Sequence, residues 1–290
     1  VVLIVNSDKN CSDTIMKQDT IYPVPIADFS FIDNCLNDSA KFSDQSTITG
    51  GTIDNWNWSF GDGSSTGSLQ NPIHLYSVAG TYPVTLIVSS GFNCTDTITK
   101  TIVQFPVPIA NFDADSVCLN NITFFTDLSN GNGDVINTWT WIFGDGSVPS
   151  SIQNPSHLYA APGDYYVTQI VETTNGCKGY LTDTIPVYPL PVSDFANTSV
   201  CKNEPPTLFN SDNSSGYIVS WDWNFGDNIT SSIQNPTHPY QNDGLFNTQL
   251  IVTTDMGCKD TIIKQVQVFP LPLFVFSGDK TYGCDPWCVN

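Results

Sequence analysis

The chain has 290 residues, 40% of them hydrophobic, which is enough to fill several small cores and excludes a disordered polypeptide. Nine Lys and Arg stand against 28 Asp and Glu, and the net charge of -19 excludes nucleic acid and anionic lipid as expected partners while leaving cations and glycans open. No apolar run reaches the roughly 18 residues of a membrane-spanning helix, so no membrane insertion is expected of this segment. In chain order, the opening run Val1-Val2-Leu3-Ile4-Val5 stops at Asn6. It has neither the basic start nor the small-residue cleavage site of a signal peptide, and no initiating Met, so the sequence is expected to begin inside a protein.

From Tyr22 onward one unit recurs every 81 to 83 residues, at Tyr22, Phe105, Tyr188 and Phe269. Each copy opens on an aromatic and a Pro-x-Pro step, such as Tyr22-Pro23-Val24-Pro25 and Phe269-Pro270-Leu271-Pro272. Its middle reads Trp56-Asn57-Trp58-Ser59-Phe60-Gly61-Asp62-Gly63, then Trp139-Thr140-Trp141-Ile142-Phe143-Gly144-Asp145-Gly146, then Trp221-Asp222-Trp223-Asn224-Phe225-Gly226-Asp227-Asn228. Gln70-Asn71-Pro72, Gln153-Asn154-Pro155 and Gln234-Asn235-Pro236 follow, each leading into His-x-Tyr. Val1 to Ser7 is a partial copy of Val84 to Ser90, and Cys11 to Ile15 of Cys94 to Ile98. The expected organisation is therefore the end of a preceding repeat over 1–24, repeats over 25–107, 108–190 and 191–271, and the start of another over 272–290.

Within a unit the pattern is all β. Trp56, Trp58 and Phe60 alternate with polar residues, which places them on one face of a strand as expected core, with Trp139, Trp141, Phe143 and Trp221, Trp223, Phe225 as their copies. Gly61-Asp62-Gly63 turns the chain, because Gly supplies positive φ and Asp bonds nearby amides. Tyr82, Val84, Leu86 and Val88 form a second alternating strand, and Ile98, Ile102 and Val103 lie on a third. About seven strands in one repeat is what an immunoglobulin-type Greek-key sandwich needs.

These three motifs, Trp-x-Trp-x-Phe-Gly-Asp-Gly, Asn-Pro-x-His-x-Tyr and Gly-x-Tyr-x-Val-Thr-Leu-x-Val, together resemble the PKD domain, a seven-stranded immunoglobulin-like fold, over almost the whole chain. The Cys-bearing form at Asn175-Gly176-Cys177 is similar to that of surface and gliding-associated adhesins of Bacteroidetes. The resemblance implies tandem all-β sandwiches in an extended rod, with no enzymatic activity. The third copy departs from the pattern at Asn228 and at Gly244-Leu245-Phe246, where its turn and neighbouring strand are expected to differ.

His74, His157 and His238 occupy one repeat position, so each is expected to stand alone in its domain with a structural role in the turn after Asn-Pro. No triad assembles from one His per module. Asp62, Asp145 and Asp227 are expected turn caps and weak candidates for calcium, an ion that wants six to eight oxygen ligands. No other cofactor is expected. The Trp pairs could stack on sugars, but their place in a central strand favours packing. Asp-Thr-Ile at Asp13, Asp96, Asp183 and Asp260 resembles the O-glycosylation signal of Bacteroidetes, which implies Thr14, Thr97, Thr184 and Thr261 as candidate modification sites.

The nine cysteines suggest an oxidising, extracellular compartment. Cys11, Cys94, Cys177 and Cys258 lie 14 residues before the second Pro of a linker, and Cys35, Cys118 and Cys201 lie 10 after it. Cys284 is a looser member of the second class, and Cys288 and Trp287 stay unassigned. In an immunoglobulin-like sandwich Cys35 falls at the bottom and Cys94 at the top, roughly 30 Å apart by strand rise, whereas a disulfide needs Cα atoms within about 7 Å. A head-to-tail stack brings Cys35 to Cys177 and Cys118 to Cys258. Another strand order would restore Cys35 with Cys94, Cys118 with Cys177 and Cys201 with Cys258, so both sets stay open here.

The function expected is a stiff, disulfide-stabilised stalk or filament segment of a bacterial cell-surface adhesin, its partners being neighbouring repeats and surface glycans or other proteins. A spacer or glycan-binding accessory region of a secreted hydrolase, and a subunit of a homopolymeric fibre or sheath, are the alternatives.

Overall fold

A computed structural model describes residues 1–197, 200–202, 207–210 and 216–272. Cys284, Trp287 and Cys288 lie outside the described residues, as does all but Pro272 of the expected 272–290 segment. The described elements are strands: a hairpin of β1 (Val2–Asn6) and β2 (Ser12–Met16), then the first full repeat of β3 (Phe29–Phe31), β4 (Asn34–Cys35), β5 (Ala40–Asp44), β6 (Ile53–Ser59), β7 (Ile73–His74), β8 (Gly80–Ser90) and β9 (Thr95–Phe105). These seven strands make one sheet in the order β3-β5-β7 and another in the order β4-β9-β8-β6. All-β, immunoglobulin-like tandem repeats are thus what the sequence folds into.

Burial follows the pleat. Along β8, Val84, Leu86 and Val88 are wholly buried while Thr85 and Ile87 between them are half-buried, and Leu86 stands opposite Ile98 on β9. β-branched and aromatic residues suit these half-covered surfaces, and Thr85 and Thr99 join their hydroxyls across the outer face at 2.8 Å. Between the sheets sit Phe29, Phe42, Trp58, Phe60 and Tyr76, with the Phe29 ring edge-on to Trp58 at 5.1 Å. Tilted aromatic pairs of this kind add about 0.5–1.5 kcal/mol beyond the area they bury.

The third repeat builds the same cluster from Phe195, Phe209, Trp223, Phe225 and Tyr240, again with Phe195 at 5.1 Å from Trp223. Its turn is one residue shorter between the inner Trp and the Gln-Asn-Pro motif, Trp223 to Gln234 against Trp58 to Gln70. The shortening lets Thr230–Ser231 zip onto Trp223 and Asn224 as an added two-residue strand, where the first repeat has an isolated bridge between Trp58 and Gly67. Asn228 takes the left-handed φ of 74° that Gly63 and Gly146 take at 80°. Asn is a side-chain-bearing residue that tolerates this region, so the turn is kept. In the second repeat Ile136–Ile142 pairs antiparallel with Gly163–Thr173, placing Trp139 opposite Val171.

By contacts the chain divides into two compact units. One holds Val1–Asp113, Phe125–Pro155 and Val167–Asp183, and the other Ala114–Phe124, Ser156–Tyr166 and Thr184–Asn290. The β1–β2 hairpin carries Val2, Leu3, Ile4, Val5, Ile15 and Met16, each more than half exposed.

The expected core needs one correction. Trp58, Trp141 and Trp223 are buried, and so are Phe60, Phe143 and Phe225, but Trp56, Trp139 and Trp221 are only half-buried. At two of them the reason is polar: Trp56 Nε1 donates to Asp44 Oδ2 and Trp139 Nε1 to Asp127 Oδ2, both at 2.7 Å, while Trp56 and Trp221 still pack against the rim of their cores.

Candidate functional site

The recurrent Gln-Asn-Pro motif is a scaffold for one carboxylate. Asp44 Oδ2 accepts from Trp56 and from Gln70 Nε2 at 3.0 Å, its Oδ1 accepts from Ser46 N, and its own amide donates to Asn71 Oδ1 at 2.9 Å. Pro72 then offers its carbonyl to Phe42 N at 3.1 Å. Gln153, Asn154 and Pro155 repeat every one of these contacts around Asp127 and Phe125. Burial pushes the Asp44 and Asp127 carboxyls up, but the donors from Ser46 and Gln70, and from Ser129 and Gln153, outweigh it and hold both below the usual range. Gln-Asn-Pro therefore locks the long loop to the strand edge. Asp44 and Asp127 lie outside the three motifs, and their recurrence 83 residues apart is the signal they leave in the sequence.

Each histidine is the one histidine of its repeat and has a structural role, as expected, but it lies on a short strand rather than in a turn. His74 lies on β7, opposite Ala40, and donates from Nε2 to Asp62 Oδ2 at 2.7 Å, and His238 does the same to Asp227. The His74 ring stacks on Phe60 at 4.1 Å and meets Tyr76 edge-on, while Tyr76 Oη donates to the Phe60 carbonyl. Asp62 Oδ1 accepts from Ser64 N, so both carboxylate oxygens serve the turn. Burial raises this carboxyl, yet hydrogen bonds from Ser64 and His74 bring it down to about 2. Asp145 likewise accepts from Ser147. Among the described residues no three His, Cys, Asp or Glu side chains form a group that could hold a metal ion.

The Asp-Thr-Ile recurrence is only partly in register. Asp96 and Asp260 stand two residues after a cysteine and cap the linker, accepting from Ala27 N at 2.8 Å and from Ser193 N at 2.7 Å. The equivalent residue of the second repeat is Gly179, where a Cβ would come within 2.2 Å of the Pro108 carbonyl oxygen. Asp183 instead takes the place of Lys100 and Lys264. Those lysines clamp Asp28 and the Phe29 carbonyl, and Asp194 and the Phe195 carbonyl, whereas the second repeat has Asn111 for the clamped aspartate. Thr14, Thr97, Thr184 and Thr261 are exposed.

The cysteines sit on two kinds of backbone. Cys35 runs parallel to the end of β9 opposite Phe105, and Leu36 N bonds the Phe105 carbonyl at 2.7 Å. Cys118 repeats this against Tyr188, with Leu119 N at 2.8 Å from its carbonyl. The other class follows a hairpin tip with a left-handed residue: Thr173 N bonds the Cys177 carbonyl at 2.9 Å beyond Gly176, and Thr254 N bonds the Cys258 carbonyl at 2.8 Å beyond Gly257. In the structure Cys35 is joined to Cys177 and Cys118 to Cys258, with Cα separations of 5.5 and 5.6 Å. Cys94 and Cys201 carry free thiols, so the in-repeat set of Cys35 with Cys94, Cys118 with Cys177 and Cys201 with Cys258 is not formed. The physical reason is strand direction, since the 11-residue strands β8 and β9 put the Cys94 hairpin at one end of the sandwich and Cys35 beside the other end of β9. Each bond ties one repeat to its successor, and Cys177 and Cys258 are no more than 1% exposed. Closing separations of 142 and 140 residues removes about 4–5 kcal/mol of chain entropy from the unfolded state.

Comparison with known proteins gives these repeats a family. The PKD domain model matches residues 23–104, 106–189 and 187–268. Among solved structures, the PKD1 domain of Vibrio anguillarum Epp is 28% identical, covering 29% of this chain and 95% of that one with a TM-score of 0.27. The PKD1 domain of the Vibrio cholerae metalloprotease PrtV is 32% identical, covering 28% of this chain and 96% of that one with a TM-score of 0.26. A 1.5-MDa bacterial ice-binding adhesin is 11% identical, with 88% of this chain and 100% of that one covered and a TM-score of 0.34. With three matches in tandem over most of its length, the chain belongs to the PKD domain family.

Proposed function

We propose that this chain is a structural or adhesive segment of an extracellular protein, a stalk or filament stiffened where one repeat meets the next. The observation that carries the reading is the pair of bonds from Cys35 to Cys177 and from Cys118 to Cys258, each between successive repeats. The first and third repeats each enclose an aromatic core of their own residues. A covalent tie at the junction therefore serves the linkage, and Pro-x-Pro linkers such as Pro106-Val107-Pro108 already restrict it. Disulfides also fit an oxidising exterior. On this reading the segment belongs to a bacterial cell-surface adhesin of the gliding-associated kind found in Bacteroidetes, binding surface glycans or proteins elsewhere in the molecule. Small-angle scattering of the oxidised and the reduced chain tests the stiffening. A narrower distribution of dimensions is expected when oxidised, and the same distribution in both states contradicts it.

A further inference from the structure

Where Asn is followed by Gly, the chain can attack its own side-chain carboxamide, because no Cβ shields the next backbone amide. The sequence contains this step three times, at Asn130-Gly131, Asn132-Gly133 and Asn175-Gly176, all in the second repeat. Attack needs a free Gly N–H and a side chain at liberty to turn, and on that measure the three differ. Asn175 donates from Nδ2 to Asp134 Oδ2 at 2.8 Å, and Gly176 N is taken up by the Thr173 carbonyl at 2.9 Å. Asn130 exchanges both backbone bonds with Ile109, and its Oδ1 accepts from Asn132 N at 2.8 Å. Asn132 is exposed and takes a left-handed φ of 55°. Its Nδ2 makes a long bond to the Val107 carbonyl at 3.4 Å, beyond the usual hydrogen-bond range. Gly133 N has no hydrogen-bond partner among the described residues, and a Cβ there would meet nothing within 4 Å, so this peptide has room to swing. In the first repeat the same loop reads Thr47-Ile48-Thr49-Gly50-Gly51 and has no carboxamide.

We propose that Asn132 is a site of spontaneous deamidation, a slow one-way change that loosens the hold of its loop on the linker Pro106-Val107-Pro108. The inference goes beyond the structural or adhesive role and does not rest on the disulfides. The Gly133 nitrogen bonds Asn132 Cγ, the Cγ–Nδ2 bond breaks, and the amide proton leaves with Nδ2 as ammonia. Water then opens the five-membered imide at one of its two carbonyls. Opening at one gives aspartate, and opening at the other gives isoaspartate, in which the main chain runs through the former side chain. Water is the one co-reactant, and nothing is oxidised or reduced. Either product lacks the Nδ2 donor, so the bond to the Val107 carbonyl is lost. Each also adds a negative charge two residues from Asp134, whose carboxylate already holds Val135 N, Thr174 and Asn175. The paired amides of Ile109 and Asn130, which join linker to loop at 2.8 and 2.9 Å, stand next to the change.

The test incubates the native, oxidised chain at mildly alkaline pH and follows each asparagine by proteolysis and mass spectrometry, beside a denatured and reduced sample. Expected in the folded chain is conversion of Asn132 to aspartate and isoaspartate severalfold faster than conversion of Asn130 or Asn175. In the denatured sample the three rates should draw together, since the contacts that separate them are gone. Asn132→Asp supplies one product directly, and amide hydrogen exchange at Ile109 and Asn130 should be severalfold faster in it than in the native chain. Conversion of Asn130 or Asn175 as fast as Asn132 in the folded chain overturns the proposal, as does conversion of Asn132 in the denatured sample alone. Unchanged exchange at Ile109 and Asn130 in Asn132→Asp overturns the loosening of the linker.

Discussion

The first and third repeats place the same rings at the same separations and solve the surrounding loop differently. Phe29 to Trp58 and Phe195 to Trp223 are both 5.1 Å, and Tyr76 stacks on Tyr82 at 4.2 Å as Tyr240 stacks on Phe246 at 4.4 Å. Tyr82 uses its hydroxyl to bond the Val78 carbonyl, and Phe246 has no hydroxyl to offer. Gly63 gives way to Asn228, and the isolated bridge becomes a short added strand. The stacked rings fix the module, and the turn is free to vary as long as one residue keeps a left-handed φ and the aspartate reaches the histidine.

The largest expected effect is on what the two repeats share. Trp58→Ala and Trp223→Ala should each destabilise their own repeat by about 3–5 kcal/mol, and hydrogen exchange resolved by repeat will show whether the losses match. Unequal losses would mean that the two cores are not equivalent. Removing the tie with Cys35→Ser and Cys177→Ser together should cost about 2–4 kcal/mol in denaturant midpoints and leave the third repeat unchanged. His74→Ala and His238→Ala should cost about 1–2 kcal/mol each, since each removes a stacked ring and the partner of a carboxylate.

Acid separates the contribution of Asp62. Its folded pKa of about 2 lies below the ordinary 3.8, so its stabilisation is present above about pH 4 and is lost as pH falls toward 2. Solvent screening of this exposed turn should hold the loss, read by urea denaturation, to about 1–2 kcal/mol or less, and Asp62→Asn should flatten that stretch of the profile. The smallest effect concerns the turn. Gly63→Asn should change stability by less than about 1 kcal/mol, since a Cβ there meets nothing within 4 Å and the third repeat already uses Asn. Gly61→Ala should cost far more, because its Cβ would lie 2.6 Å from the Pro83 carbonyl oxygen.

Much of this was legible because the chain repeats itself. Period-two alternation in Trp56-x-Trp58-x-Phe60 identifies an inward face, and the recurrence of Gly-Asp and Gln-Asn-Pro marks the loop. Alternation alone does not show that Trp56 packs at the rim of the core rather than inside it, with its indole N–H turned to Asp44 on another strand. The His74–Asp62 pair joins residues across the loop, and its signal was the joint recurrence of both partners rather than either residue. Asp183 shows the converse hazard: a three-residue match four positions out of register with Asp96 looks the same on paper and occupies the place of a lysine. Cysteine spacing by itself leaves two pairing sets open, and strand direction is what separates them.

The central claim is that the cysteines bind one repeat to the next. Non-reducing proteolysis and mass spectrometry of the native, oxidised chain test it most directly. The account predicts peptides joining Cys35 to Cys177 and Cys118 to Cys258, both lost on reduction. A peptide joining Cys35 to Cys94, or Cys118 to Cys177, would contradict it.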